Sequence, residues 1–260
     1  MPAASRSHLV LIPSYNTGPK VLETVRAARE HWKPVWVVVD GSTDGSDEVL
    51  LKQQDNDPGL RVFILPRNLG KGAAVLHGLR EAVRSGYTHV LTMDADGQHP
   101  AAKLTEFMRA SQRAPDAMIL GRPVFDKDAP RLRVGGRRIS NWWANLETLW
   151  AGIDDSLFGF RVYPARALLD IMSPSRWMRR FDFDVEAAVR MVWSGIQPTN
   201  IDAPVRYFSP EQGGVSHFNY VRDNALLTWM HMRLFAGFIL RLPLLVWRRL
   251  SQARGIRDRN

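Results

Sequence analysis

The sequence predicts an α/β fold: a mostly parallel sheet flanked by helices, with an amphipathic basic helix appended at the C-terminus. Three observations carry this expectation. Residues 8–121 alternate short β-branched runs with longer segments of helical spacing, the pattern of right-handed β-α-β crossovers. The 260 residues are 45% hydrophobic and 23% charged, which suits one folded core with a modest appendage and excludes a disordered chain. Ala225–Leu250 is apolar and aromatic, interrupted by Arg233 and Arg241 and followed by an arginine-rich tail.

Each element follows from its local text. His8–Ile12 is a strand closed by Pro13, and Pro19–Trp32 has helical spacing at Val21, Leu22, Val25 and Ala28. Val35–Val39 is a β-branched run, buried on both faces as a strand. A turn rich in Gly, Ser and Asp leads to a helix over Ser46–Gln54; strand Arg61–Leu65, helix Gly72–Ser85 and strand His89–Met93 follow. Helix Ala101–Ala110 and strand Ala117–Gly121 complete the alternation. Residues 122–140 gather Arg122, Lys127, Arg131, Arg133, Arg137 and Arg138 against Asp126 and Asp128 only, and read as a mobile basic loop. Beyond it the text predicts a helix over Ser140–Ala151, a strand near Phe158–Tyr163, a helix over Asp182–Trp193 and a last strand over Ile201–Phe208. No linker splits the first part, so residues 1–220 read as one domain and 221–260 as a helical extension.

The apolar run at the N-terminus, Leu9–Ile12, is too short for a secretory signal. With no cysteine there is no disulfide framework, thiolate metal site or cysteine nucleophile. The net charge of +9 suits a polyanionic partner: nucleic acid, an anionic membrane, or phosphorylated small molecules. Leu234–Leu240, an uncharged stretch near the C-terminus, is too short to span a bilayer. The extension therefore reads as a helix lying on an anionic surface.

In open α/β sheets, ligands bind beyond the carboxyl ends of the strands. Three predicted strands end in polar loops: Pro13-Ser14-Tyr15-Asn16, Asp40-Gly41-Ser42-Thr43-Asp44-Gly45, and Asp94-Ala95-Asp96-Gly97-Gln98. Together they offer an aromatic for a base, carboxylates for base or ribose, and glycines for close approach. Asp94 and Asp96, one residue apart past a buried strand, suit Mg²⁺ or Mn²⁺ through oxygen ligands, and such an ion would neutralise a leaving diphosphate.

The ordered set PSYN, VVDGSTDGS, RNLGKGAA, MDADGQHP and FGFRVY resembles family 2 glycosyltransferases with the GT-A fold. The likeness runs over roughly residues 8–215 and is nearest to the branch of dolichyl- and polyprenyl-phosphate glycosyltransferases. The resemblance implies an inverting enzyme that takes a sugar from a UDP- or GDP-sugar, uses a divalent cation (Mg²⁺ or Mn²⁺), and delivers to a lipid-linked or lipid-phosphate acceptor. It places Pro13, Tyr15, Asn16 and Asp40 at the nucleoside, and Asp94, Asp96 and Gln98 at the metal and diphosphate. Asp155, four residues before Gly159, matches an aspartate near the acceptor and is the candidate base; an acceptor phosphate, already ionised, would need it only for orientation. Relatives commonly carry two adjacent aspartates where this chain has Val39 and Asp40, so the nucleobase stays open.

Arg122 and Arg161 sit on matching motifs and suit phosphate, as do Arg131, Arg137 and Arg138. Lys71 in NLGKG can approach the diphosphate. Asp182, Asp184 and Glu186 form a further acidic set, or simply favour a helix N-terminus. The expected place of work is the cytoplasmic face of the inner membrane, held peripherally. Two rivals stand beside this reading: transfer to a soluble or polysaccharide acceptor, and a non-catalytic basic protein that binds nucleotide or nucleic acid. Acidic loops gathered at one sheet edge repel nucleic acid and speak against the second.

Overall fold

A computed structural model describes residues 4–125, 131–205 and 220–257. A seven-stranded sheet runs in the order β3-β2-β1-β4-β6-β5-β7. Its strands are β1 (His8–Ser14), β2 (Val35–Asp40), β3 (Leu60–Leu65), β4 (His89–Thr92), β5 (Met118–Phe125), β6 (Arg161–Pro164) and β7 (Pro198–Val205). All pairings are parallel except those of β6, which runs antiparallel to both β4 and β5. Helices α1 (Lys20–His31), α2 (Ser46–Asp55), α3 (Lys71–Arg84), α4 (Leu104–Arg113), α5 (Arg131–Glu147), α6 (Ala165–Met172), α7 (Phe183–Trp193) and α8 (Tyr220–Arg257) surround it.

The central strands are buried on both faces, and their side chains alternate between two cores. Leu9, Leu11, Trp36 and Val38 join the core under α3, α6 and α7. Val10, Ile12, Val35, Val37 and Val39 face the core under α1 and α4. Such strands read as continuous apolar runs because neither face meets water. Gly78 lets α3 lie close on the sheet, since a Cβ there would stand 2.4 Å from a Leu11 methyl.

Three expectations change. The basic stretch after β5 is not a loop throughout: residues 131–140 are the start of α5, so Arg137 and Arg138 project from a helix. Cβ atoms at Gly135 and Gly136 would meet nothing within 4 Å, so these glycines cost α5 propensity, not packing. Asp126, Lys127 and Asp128, like residues 206–208 of the last expected strand, lie outside the described residues, as do the side chains of Arg131 and Arg133. Helix α6 has no counterpart in the expectations. Finally, α8 is one continuous helix: Val221–Ser251 is by length and composition long and apolar enough to cross a membrane, with 22% of its apolar window buried.

A histidine pair ties β1 to β4. The His8 and His89 rings stack at 4.3 Å, and His8 Nε2 meets Ser111 Oγ at 3.2 Å. Burial, then the facing His89, holds the His8 pKa down to about 4 from 6.5. Between those values the unfolded chain binds a proton that the folded chain refuses. Stability is therefore lost as pH falls from about 6.5 to about 4, by on the order of 2 kcal/mol. Thermal melts of His8→Gln should show a flatter pH profile than the wild type across that window; parallel profiles would assign the acid sensitivity elsewhere.

Candidate active site

The parallel strands β1, β2 and β4 end at one edge, and β6 brings a fourth segment there. Because Thr92 lies opposite Arg161 in the antiparallel β4–β6 pair, the residues just before β6 reach the edge where β4 stops; Thr92 Oγ1 donates to the Gly159 carbonyl at 2.8 Å. The four loops and the N-terminus of α3 surround a cavity of about 1680 Å³. That exceeds the few hundred to a thousand Å³ typical of a single small ligand. There is room for two substrates.

At one end stand Pro13, Tyr15, Asp40, Lys71, Asp94, Asp96 and Gln98, so seven of the residues expected from sequence share one space. Asp40, almost wholly buried, accepts the N–H groups of Leu69 (2.9 Å) and Gly70 (2.7 Å) and so holds the loop that opens α3. Burial raises its pKa, against the pull of those two bonds and of Arg180. Asn16 does not line the cavity. Its Oδ1 accepts the Thr43 N–H at 2.7 Å, and its own N–H donates to Ser42 Oγ, so it pins the β1 loop to the β2 loop behind the rim.

Lys71 lies between two carboxylates, its Nζ 2.7 Å from both Asp94 Oδ1 and Asp184 Oδ2. Burial disfavours the charges, but Lys71 and then His99 hold the Asp94 pKa down to about 2. Asp96 goes the other way: burial, then the charge of Asp94, pushes it up to about 6. Among the described residues no cation pairs with Asp96, and its Oδ1 accepts the Gln98 N–H at 3.0 Å. His99 Nδ1 accepts the Asp94 N–H (2.9 Å), and burial lowers its pKa to about 4, so the ring is neutral at pH 7.

Three expected site residues prove to be support. Arg161 is fully buried beneath the cavity, its guanidinium donating to the carbonyls of Phe158, Asp155 and Asp184 and to the Tyr163 hydroxyl. A guanidinium spent on four oxygens of the fold has no fork left for phosphate. Arg122 is half exposed and held by Asp154 and Asp202; it does not line the cavity. Asp155 lies one layer behind the wall, 4% exposed. It accepts two bonds from Arg137, at 2.9 and 3.0 Å, and the N–H groups of Leu157 and Phe158. With Asn141 Nδ2 at 3.5 Å as a further donor, both of its oxygens are occupied by the fold. Arg137, by contrast, lines the cavity.

The far end of the cavity was not visible in the sequence. Ile139, Ser140 and Trp143 of α5, Leu157, and Leu227, His231, Met232 and Phe235 of α8 form an apolar wall. Beneath it His231 Nδ1 meets Glu147 Oε1 at 3.0 Å and its Nε2 meets Ser140 Oγ at 3.0 Å. Arg233, which looked like a break in an apolar helix, turns inward to Glu186 (2.9 Å) and over the Trp177 ring. Arg241 stacks on Trp193, and Arg248 donates to the Trp193 carbonyl. These three arginines fasten α8 to its own fold. Trp229, Ile239, Leu240 and Trp247 of α8 stay exposed, as do Ile139 at the cavity wall and Trp142 of α5.

The family model for glycosyl transferase family 2 matches residues 9–183. The chain belongs to that family. It is a glycosyltransferase acting on a nucleotide-sugar. It is 29% identical over 217 residues to polyprenol monophosphomannose synthase of Mycolicibacterium smegmatis, covering 79% of this chain and 78% of that protein. It is 27% identical over 220 residues to undecaprenyl-phosphate mannosyltransferase of Micrococcus luteus, covering 79% and 85%. Among solved structures, glucosyl-3-phosphoglycerate synthase from Mycobacterium tuberculosis, crystallised with Mn²⁺, UDP-glucose and phosphoglyceric acid, superposes with a TM-score of 0.60. It is 12% identical and the match covers 90% of this chain and 79% of that one. The GT-A architecture expected of this glycosyltransferase is the one observed.

Among the described residues no group of three His, Cys, Asp or Glu side chains is arranged to hold a metal. What Asp94, Asp96 and Gln98 offer is a set of oxygen donors, the kind a hard divalent ion takes. An unpaired carboxylate whose charge is strained by its neighbour fits such an ion.

Proposed function

We propose that this glycosyltransferase moves a sugar from a UDP- or GDP-sugar to a lipid-linked phosphate, with inversion, while held peripherally on the cytoplasmic face of an inner membrane. One observation carries the reading: a single cavity joins the acidic donor loops to the apolar α5–α8 wall, with Arg137 among the lining residues of α5. The curated relatives named for polyprenol and undecaprenyl-phosphate substrates support the same acceptor class.

The chain's residues divide the work. Pro13, Tyr15 and the Asp40-braced loop receive the nucleoside. Asp94, Asp96 and Gln98 would hold Mg²⁺ or Mn²⁺, which supplies charge neutralisation of the departing diphosphate. Arg137 keeps Nε and Nη2 on Asp155 and offers the acceptor phosphate its remaining N–H groups. A phosphate oxygen is already ionised at pH 7, so the attacking group needs no base, which agrees with Asp155 being saturated by donors. The apolar wall takes the start of the lipid chain, and the exposed aromatic and aliphatic face of α8 and α5 lies on the bilayer.

The test is a transfer assay with GDP- and UDP-sugars, polyprenyl phosphate in anionic vesicles, and Mn²⁺ or Mg²⁺. One donor should give a lipid-soluble product, and the enzyme should float with the vesicles. Transfer to free saccharides with none to polyprenyl phosphate would replace the acceptor assignment with the soluble one.

A further inference from the structure

Lys71 occupies the position from which a cation would be held. Its ammonium is 2.7 Å from Asp94 Oδ1 and 2.7 Å from Asp184 Oδ2. The space was made for it: a Cβ on Gly159 would lie 2.6 Å from Nζ. The second oxygen of Asp184 is buried with no hydrogen-bond partner among the described residues, so Asp184 has Lys71 as its only charged contact there. On the other side, the second oxygen of Asp94 is 3.5 Å from Nε2 of His99, whose Nδ1 accepts the Asp94 N–H and so carries no proton of its own. Lys71 is therefore the one full positive charge directly on the carboxylate assigned to the metal, among the described residues.

An oxygen paired with an ammonium at this distance is a weakened ligand, and a divalent ion beside it meets the repulsion of a fixed positive charge in a dry site. We infer that Lys71 competes with the divalent ion for Asp94, so that the ion enters stably only together with a diphosphate, which takes over the ammonium while Asp184 keeps the lysine at hand. This rests on the metal reading above and deepens it. The arrangement also matches the charge of the reaction. The nucleoside diphosphate that leaves carries one more negative charge than the diphosphate of the donor, and the ion and Lys71 together can meet it. The free enzyme would have its carboxylate pair neutralised from within, and metal and nucleotide would bind with positive coupling.

The experiment is a Mn²⁺ titration of the full chain followed by electron paramagnetic resonance, alone and with UDP or GDP. Wild type should bind Mn²⁺ about tenfold or more tightly with the preferred nucleoside diphosphate than without it. Lys71→Met should bind Mn²⁺ alone about tenfold more tightly than wild type and lose most of the coupling. Lys71→Arg, which keeps the charge on both carboxylates, should bind Mn²⁺ alone no better than wild type. Equal or weaker Mn²⁺ binding by Lys71→Met would overturn the inference, as would Lys71→Arg behaving like Lys71→Met. Should Lys71→Met fail to fold, wild-type affinity unchanged by either nucleotide would overturn it alone. Absence of Mn²⁺ binding in every variant with every nucleotide would overturn the metal assignment and this inference together.

Discussion

Asp96→Asn is expected to lower sugar transfer by about a hundred- to a thousandfold while melting at or above the wild-type temperature. The two effects have one cause. Burial and the neighbouring Asp94 push the Asp96 carboxyl up to about 6, so at pH 7 the folded chain carries a charge it would be more stable without. The amide keeps the shape and removes that cost. It also removes the anionic ligand that would bind a divalent ion beside the diphosphate, where charge develops as the bond to the sugar breaks. A core aspartate with a merely structural role would do the opposite, costing stability and sparing activity. Removal of metal with EDTA should reproduce the loss in the wild type, with recovery on adding Mn²⁺ or Mg²⁺. Full activity in Asp96→Asn, or in thoroughly metal-stripped enzyme, would remove the ion from the mechanism.

Arg137→Lys should fold, keep donor binding within a few-fold, and reduce transfer to a lipid phosphate by about ten- to a hundredfold. Lysine retains the charge beside Asp155, so no carboxylate is left buried alone. It cannot give two parallel bonds to Asp155 and still present N–H groups to a phosphate. Arg137→Ala is the harsher change: it strands Asp155, 4% exposed, without its cation, and should cost roughly 3–5 kcal/mol of stability. Asp155→Asn separates position from charge. It leaves Arg137 in the wall but unheld, so KM for the acceptor should rise more than kcat falls. Acceptor kinetics of Arg137→Lys that match the wild type would place the phosphate elsewhere in the cavity.

That Tyr15, Asp40, Asp94 and Asp96 share one space was legible because each ends or follows a strand of the same sheet. The loops after β1, β2 and β4 are each a few residues long, and a parallel sheet guarantees that their ends meet. The strands themselves were legible because burial on both faces leaves uninterrupted runs such as Val35–Val39. The other end of the cavity is built from residues far apart: Ser140 and His231 bond across 91 positions, and no spacing within α5 or α8 announces the partner. The same limit explains Arg161 and Asp155. Sequence shows an arginine or an aspartate on a motif, but whether carbonyls or amide groups have already satisfied it depends on Phe158, Asp184 and Leu157 folding back on it. Helix α6 escaped because eight residues hold too few turns for a periodic signal. The start of α5 escaped because paired glycines and clustered cations mimic a loop.

Helix α8 is joined to the rest through its own core cluster, in which Met230, Leu234, Phe238 and Leu245 pack on Ala144 of α5 and on Val185, Val189 and Trp193 of α7. None of these eight side chains belongs to the clusters on either face of the sheet. Helix α7 belongs to both packings: Phe183, Ala187, Ala188 and Met191 lie in the core on the sheet, while Val185, Val189 and Trp193 turn to α5 and α8. Such a shared helix is an opening for grafting: a chimera carrying a different α5 and α8 on the same α7 and sheet would change which molecule is glycosylated and leave the loops around Lys71 and Asp184 as they are.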